Sequence, residues 1–227
     1  MLKAKEVIRE IADEKRVILF HSASGKDSIA LAHMLSELFE EVLCVYMYIV
    51  PNLNHINRYI NYAINKYSNL KFIQVPHFAL YSYLKTGYLG CRQNEKLKKY
   101  TFADITDMIR EKYNIEWACY GFKQSDSMNR RLMLRTYEIS AINRKTKKVY
   151  PLSEYKNKDV LEYIQKNNLI APESYGNAQS SGTNITDINY LLFLKKNYPD
   201  DLKRVIEMFP LVERLIFEYN YEKDKAE

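Results

Sequence analysis

Through the first half of the chain, stretches with apolar residues at helical spacing alternate with short runs that are apolar throughout. Glu6 to Asp13 reads as a helix, and Arg16 to Phe20 (RVILF), bounded by polar residues, as a buried strand. Asp27 to Phe39 carries Ile29, Leu31, Ala32, Leu35, Leu38 and Phe39 on one stripe, the mark of an amphipathic helix. Val42 to Val50 (VLCVYMYIV) is too continuously apolar to be half exposed and reads as a central parallel strand. A helix over Leu53 to Tyr67, a strand over Leu70 to Val75 closed by Pro76, a helix over Phe102 to Tyr113 and a strand over Ile115 to Tyr120 complete the alternation.

Strands that alternate with helices predict an α/β fold: an open, mostly parallel, twisted sheet with helices on both faces. Its ligands are expected at the carboxyl ends of the strands. After Tyr150 the pattern changes. Lys156 to Asn167, Ile185 to Asn197 and Asp200 to Met208 read as helices, and Ala171 to Thr183, with Pro172, Gly176 and Gly182, as a polar loop. The expected organisation is therefore an α/β unit over residues 1–170 and a loop with a helical extension over 171–227.

At 227 residues the chain has room for one sizeable core, and a 27% charged fraction argues against disorder. No apolar run approaches the roughly twenty residues that a membrane helix needs, and Met1 to Glu14 lacks the apolar centre of a secretory signal. Cys44, Cys91 and Cys119 are odd in number and widely spaced, with no C-x-x-C pair. That speaks against structural zinc or an iron–sulfur cluster and for a reducing, cytoplasmic compartment. The histidines (His21, His33, His55, His77) are scattered singly. The net charge of +6 is concentrated between Gly121 and Tyr150. There Lys123, Arg130, Arg131, Arg135, Arg144, Lys145, Lys147 and Lys148 face only Asp126 and Glu138. Such a window attracts phosphate-rich partners, from a nucleotide to a nucleic acid, or else forms a solvated hairpin and helix face.

The segment that carries chemistry is Phe20-His21-Ser22-Ala23-Ser24-Gly25-Lys26-Asp27-Ser28, at the handover from strand to helix. A loop there offers unpaired backbone N–H groups and the positive end of a helix dipole to an anion. Small residues let the anion approach. Ser22, Ser24 and Ser28 add hydroxyl donors, and Lys26 adds a charge. Asp27 is placed to cap the helix or to help hold Mg2+ beside phosphates. The Walker A pattern is absent, so the segment is either another type of phosphate loop or a serine-rich helix cap that binds nothing. Gly121 ends the fourth strand on the same side, and Lys123, Arg130 and Arg131 are expected to reach across the cleft from Lys26. Alternatively Arg130 and Arg131 are ordinary helix-surface residues.

The run Ala23-Ser24-Gly25-Lys26-Asp27-Ser28 resembles the pyrophosphate-binding PP-loop, S-G-G-x-D-S, of the N-type ATP pyrophosphatases, with Ala23 and Ser24 replacing the first Ser and Gly. Gly121-Phe122-Lys123-Gln124-Ser125-Asp126-Ser127 through Arg130 resembles the G-x-R-x-x-[DE]-S-x-x-R pattern of the phosphoadenosine phosphosulfate (PAPS) reductase-like branch, with Lys123 for the first Arg. Pro151-Leu152-Ser153-Glu154-Tyr155, Lys158-Asp159-Val160, Tyr163-Ile164 and then Pro172 and Tyr175 resemble its P-L-x-x-W-x-x-x-D-V-x-x-Y-I and P-x-x-Y segments. Cys91 and Lys96 resemble a C-x-x-x-x-K element of some members.

The resemblance implies a nucleotide-binding role for residues 1–170, in an adenine nucleotide alpha hydrolase-like, Rossmann-like fold that binds ATP or another adenine nucleotide with Mg2+. It implies binding at Ser22, Ala23, Ser24, Gly25, Lys26, Asp27, Ser28, Gly121 and Arg131, catalysis by Lys26, Asp27, Lys123 and Arg130, and Asp27 as metal ligand. Sulfonucleotide reductases attack sulfur with a thiolate near the C-terminus, and this chain has no cysteine beyond Cys119. The expected activity is thus cleavage of ATP between the α and β phosphates to adenylate an acceptor, nucleic acid being one candidate. A thiol-dependent reductase using Cys91 and a non-catalytic nucleotide- or nucleic-acid-binding partner are the alternatives. A homodimer is compatible with all three.

Overall fold

The computed structural model describes residues 2–175 and 184–226. Its elements are α1 (Leu2–Arg9), β1 (Arg16–Phe20), α2 (Lys26–Ser36), β2 (Glu41–Tyr48), α3 (Asn54–Lys66), β3 (Leu70–Pro76), α4 (Phe78–Thr86), α5 (Phe102–Tyr113), β4 (Ala118–Cys119), α6 (Met128–Arg135), β5 (Ile142–Asn143), β6 (Lys148–Val149), α7 (Asn157–Lys166), α8 (Ile188–Asn197), α9 (Pro199–Met208) and α10 (Val212–Ala226).

The six strands form one sheet in the order β3-β2-β1-β4-β6-β5, parallel except for the β5–β6 hairpin. Side chains alternate between its faces, as the pleat requires. Val17 and Leu19 of β1, with Val42 and Cys44 of β2, join a core completed by α1, α2, α3 and the helices after residue 157. Ile18, Leu43 and Val45 face a second, smaller core built with α5 and Leu134 of α6. Helices therefore cover both faces, as the strand–helix alternation predicts. Among the described residues no helix is long and apolar enough to cross a membrane.

Several boundaries differ from the sequence expectation for identifiable reasons. The strand expected over Ile115 to Tyr120 pairs in register only at Ala118–Cys119, because its neighbour β6 is itself two residues long. Its flanks remain tied, by Ile18 N to Trp117 O at 2.9 Å and Tyr120 N to Val149 O at 3.0 Å. The first helix spans Leu2–Arg9 rather than Glu6 to Asp13, with a separate short turn at Ala12–Glu14. The second ends at Ser36, and Phe39 reaches the core from a following turn. The pattern gave no sign of α4, α6 or α10. In α6 only Leu134 is buried, and the helix is started by Ser127, whose hydroxyl accepts the Arg130 amide at 3.2 Å. Residues 176–183, most of the predicted polar loop, lie outside the described residues.

The C-terminal helices share the larger core through Tyr190, Leu191, Leu194, Val205 and Phe209. A buried polar clasp adds to this. Asp201 of α9 accepts the Asn54 and His55 amides at 2.7 and 2.9 Å, capping α3 from a distant part of the chain. The same carboxylate meets His55 Nδ1 at 2.9 Å and Arg204 at 3.1 Å, while His55 Nε2 lies 3.2 Å from the Tyr190 hydroxyl.

Candidate active site

β1, β2 and β3 succeed one another outward on one side, whereas β4 pairs on the other side of β1. The loops leaving the carboxyl ends of β1 and β4 therefore diverge, which opens a crevice at this switch point. A cleft of about 420 Å³ occupies it, walled by the carboxyl ends of the first four strands or the residues just past them: Phe20 to Ser22, Val45 to Met47, His77 and Phe78, and Tyr120 to Phe122. Phe102 and Arg130 complete the lining. Much of the wall is aromatic. Phe20 and Tyr120 stack with centroids 5.1 Å apart and planes 5° apart, and the Arg130 guanidinium lies 4.0 Å from the centre of the Phe122 ring.

The loop into α2 borders the cleft through His21 and Ser22, while Ala23, Ser24, Gly25, Lys26, Asp27, Ser28 and Lys123 lie outside its lining. The Ser22 amide donates to Ser28 Oγ at 2.9 Å, Ser22 Oγ lies 3.0 Å from the same atom, and the Ala23 amide donates to His21 Nδ1 at 2.8 Å. Those contacts turn the chain sharply and put Ala23 at φ +54°. The amides of Ser24, Gly25, Lys26, Asp27 and Ser28 find no protein acceptor among the described residues. They form a run of orphan donors at the start of α2, suited to an anion. A Cβ at Gly25 would come within 2.2 Å of Ser22 Oγ, so a larger residue would turn that hydroxyl away from Ser28 Oγ.

Gly121 permits the opposite rim to approach. A Cβ there would sit 3.0 Å from Asp27 Cβ, so the β4 loop rests against the first turn of α2. The contact joins the two loops through charge. Lys123, 1% exposed, places its ammonium 2.7 Å from Asp27 Oδ2 and 3.1 Å from Asp126 Oδ1. Lys26 is 3.3 Å from the same Asp27 oxygen, and Arg130 is 2.8 Å from Asp126 Oδ2. Burial alone would push the Asp126 carboxyl up, but the Lys123 amide and ammonium and the Arg130 guanidinium outweigh it and hold it below the usual range.

Three expectations need correction. Asp27 does not cap α2, since Gly25 occupies the N-cap and the Asp27 carboxylate is engaged by lysines. Lys123 does not reach across the cleft as a free cation, because two carboxylates hold it inside. Arg131 does not line the cleft. It donates to the Gln124 carbonyl at 3.4 Å and lines a separate groove behind the β4 loop. Cys91 is also absent from the cleft. Its buried thiol donates to the Tyr83 carbonyl at 3.3 Å, and burial pushes its pKa up, away from thiolate.

The geometry agrees with the sequence comparison, in which the profile of the phosphoadenosine phosphosulfate reductase domain matches residues 17–181. The chain belongs to that family. No curated protein matches it in sequence. Among solved structures, PAPS reductase from Candida auris, a phosphate complex, superposes with a TM-score of 0.51 at 12% identity, over 78% of this chain and 89% of that one, which establishes the shared fold. The U34-tRNA thiolase NcsA from Methanococcus maripaludis with its [4Fe-4S] cluster matches with a TM-score of 0.41 at 16% identity, over 93% and 80%. The NH3-dependent NAD synthetase from Campylobacter jejuni, in complex with nitrate, matches with 0.46 at 11%, over 98% and 95%.

Phe20, His21 and Phe122 stand in the quoted stretches without an assigned role, and the rest of the aromatic wall and His77 were not picked out in the sequence. Their common signal was position, each lying at or just past the end of a parallel strand or, for Phe102, at a helix start. His21 is the more exposed to pH change in its consequences. Burial lowers its pKa to about 3, and its Nδ1 must stay unprotonated to accept the Ala23 amide. The unfolded chain takes up this proton near pH 6.5 and the native one does not, so stability is level above that pH and falls below it. From pH 6.5 to 4.5 the loss due to His21 is about 2–3 kcal/mol, near 1.4 per pH unit. Denaturant melts across that range should show a slope reduced by about one proton in His21→Gln. An unchanged slope would place His21 in a solvated site.

Proposed function

We propose that this chain is an ATP pyrophosphatase of the PAPS reductase family, which cleaves ATP between the α and β phosphates and passes the adenylate to an acceptor. The observation that carries the reading is the run of unpaired amides from Ser24 to Ser28, which follows the cleft-lining His21 and Ser22 in the chain and adjoins the Lys26–Asp27–Lys123 charge cluster. In this reading the base lies against the aromatic wall, and the diphosphate enters the amide run beside Lys26. Arg130, already in the lining, faces the α-phosphate or the acceptor. Lys123 acts by positioning, since it fixes Asp27 against Asp126. Catalysis is then placement plus stabilisation of charge on the departing pyrophosphate.

Asp27 Oδ1 is buried and has no hydrogen-bond partner. A lone free carboxylate oxygen beside a phosphate cradle suits Mg2+, which takes one or two carboxylates and completes its shell with phosphate oxygens and water. Asp27 would hold the ion, and bound Mg2+ would supply neutralising charge to the phosphates. Among the described residues no cluster of three His, Cys, Asp or Glu forms a metal site, so the protein's share of the ligands would be small.

Pyrophosphate release from ATP in the presence of candidate acceptors tests the reading. Lys26→Ala and Asp27→Asn should each lower the rate by about 10²-fold or more, the scale of losing one charge-stabilising group. ATP binding with no turnover across acceptors, or turnover indifferent to both substitutions, would refute it. The thiol-dependent alternative finds no support in the geometry, because Cys91 is buried and lies outside the cleft lining.

A further inference from the structure

We propose that the polar groove behind the Gly121–Ser127 turn is a docking channel for the phosphodiester backbone of a nucleic acid. Its about 390 Å³ is lined by, among others, Gln124, Ser125, Arg131, Arg135, Ser153 and Lys156.

Of the eight cations in the basic window, four are paired with carboxylates, Arg131 and Arg135 line the groove, and Lys145 and Lys148 do neither among the described residues. Lys123, Arg130, Arg144 and Lys147 each have a carboxylate partner: Asp27 and Asp126, Asp126, Glu10 and Glu138, and Glu116 respectively. These charges are already met within the protein. Arg131 and Arg135 pair with no carboxylate among the described residues, and neither does Lys156 at the start of α7. All three converge on the groove. The acid in the lining, Glu154, is already engaged by Lys3.

Gln124 orients the two arginines. Its amide is anchored to the Ser153 carbonyl at 2.8 Å, its own carbonyl takes Arg131 Nε at 3.4 Å, and its Oε1 takes Arg135 Nε at 3.3 Å. Both guanidinium groups are thus held by the Nε edge, and their terminal nitrogens have no protein acceptor among the described residues. An arginine presented in this way offers a fork to a phosphate.

The ligand is a strand rather than a mononucleotide because the groove has no place for a base. Its lining is hydroxyl, amide and charge. Its one ring, Tyr155, already takes the Ala4 amide on its hydroxyl. The cations are also spread out. Arg131 and Arg135 are one helical turn apart, about 5–6 Å between Cβ atoms, and Lys156 comes from another element. A repeating anion can meet all three, with contacts to backbone rather than bases and hence without sequence preference.

The adjacent residues Arg130 and Arg131 line the cleft and the groove respectively, so one short turn separates the two. A strand in the groove passes beside the cleft mouth, which makes nucleic acid the acceptor class. Only this last step rests on the adenylation reading.

Fluorescence anisotropy provides the test, with a fluorescein-labelled DNA strand, its duplex and an RNA strand of the same sequence, titrated between about 50 and 200 mM salt. The double variant Arg135→Gln/Lys156→Gln should bind at least about 10-fold more weakly. Its plot of log affinity against log salt should flatten by about 1.4 for a single strand or 1.8 for a duplex. ATP affinity by calorimetry should stay within about twofold, and Arg135→Lys/Lys156→Arg should keep the wild-type slope. An unaltered slope in the neutralised variant, or displacement of the strand by stoichiometric ATP, would overturn the proposal. Groove-dependent strand binding in a protein that ignores ATP would uphold it and sink the adenylation reading instead.

Discussion

Lys123→Met should lower the unfolding free energy by about 3 kcal/mol, a fall in melting temperature of roughly 6–12 °C for a chain of this size. The ammonium is almost wholly buried between Asp27 and Asp126. Methionine fills much the same volume but leaves two carboxylates facing each other across a dry space. Removing one partner of a buried pair is costlier than never having built it. The estimate sits at the low end of that range because each acid keeps another cation, Lys26 for Asp27 and Arg130 for Asp126. The acids also retain about a fifth of their exposure. Thermal and urea melts of the variant measure the loss directly. A change below about 1 kcal/mol would mean that the triad is solvated and that Lys123 is free to serve the cleft as a mobile cation.

The second large effect is expected far from the cleft. Asp201→Ala should cost about 3–5 kcal/mol. Its buried carboxylate satisfies the Asn54 and His55 amides, the His55 ring and Arg204 at once. Without it the first turn of α3 has orphan donors beside the buried His55, and α9 loses its polar tie to α3. Burial pushes the His55 imidazole pKa down, and the hydrogen bond and charge of Asp201 work against that shift. Hydrogen exchange gives the sharper readout. The amides at the start of α3 and those of α9 should lose protection together. Loss confined to α9 would show that the clasp does not couple the two segments.

Much of the architecture could be read from periodicity. Phe102–Tyr113 is found as expected, and β1 matches its apolar run residue for residue. Continuous apolar strands in register with buried helical stripes leave little else to fold into. Helices without such a stripe were missed: α6 buries one residue, and α10 leaves Phe217 and Tyr221 exposed. Their positions follow from a cap and from packing at one edge, which window-based patterns do not register.

For the site, the phosphate loop was legible because small residues, hydroxyls and a lysine between strand and helix are a local requirement. Gly25 leaves room for the hydroxyl of Ser22, three residues away. The roles of charged residues in the second stretch were not legible. In sequence Lys123, Arg130 and Arg131 are three similar cations, and the chain order contains no statement of which carboxylate each one meets.

Legible in the chain alone were the alternation of the first four strands with helices, the loop at the first strand's end and the family to which the chain belongs. Each of these depends on residue spacing within a few turns of backbone. Only the tertiary structure decided that Lys123 is an internal strut, that Arg130 and Arg131 serve opposite sides of one turn, and that the last helices clamp α3 through Asp201. Those outcomes depend on Coulomb and desolvation energies between groups distant in the chain, set by a separation and a burial that exist only once the sheet has brought β1 and β4 side by side.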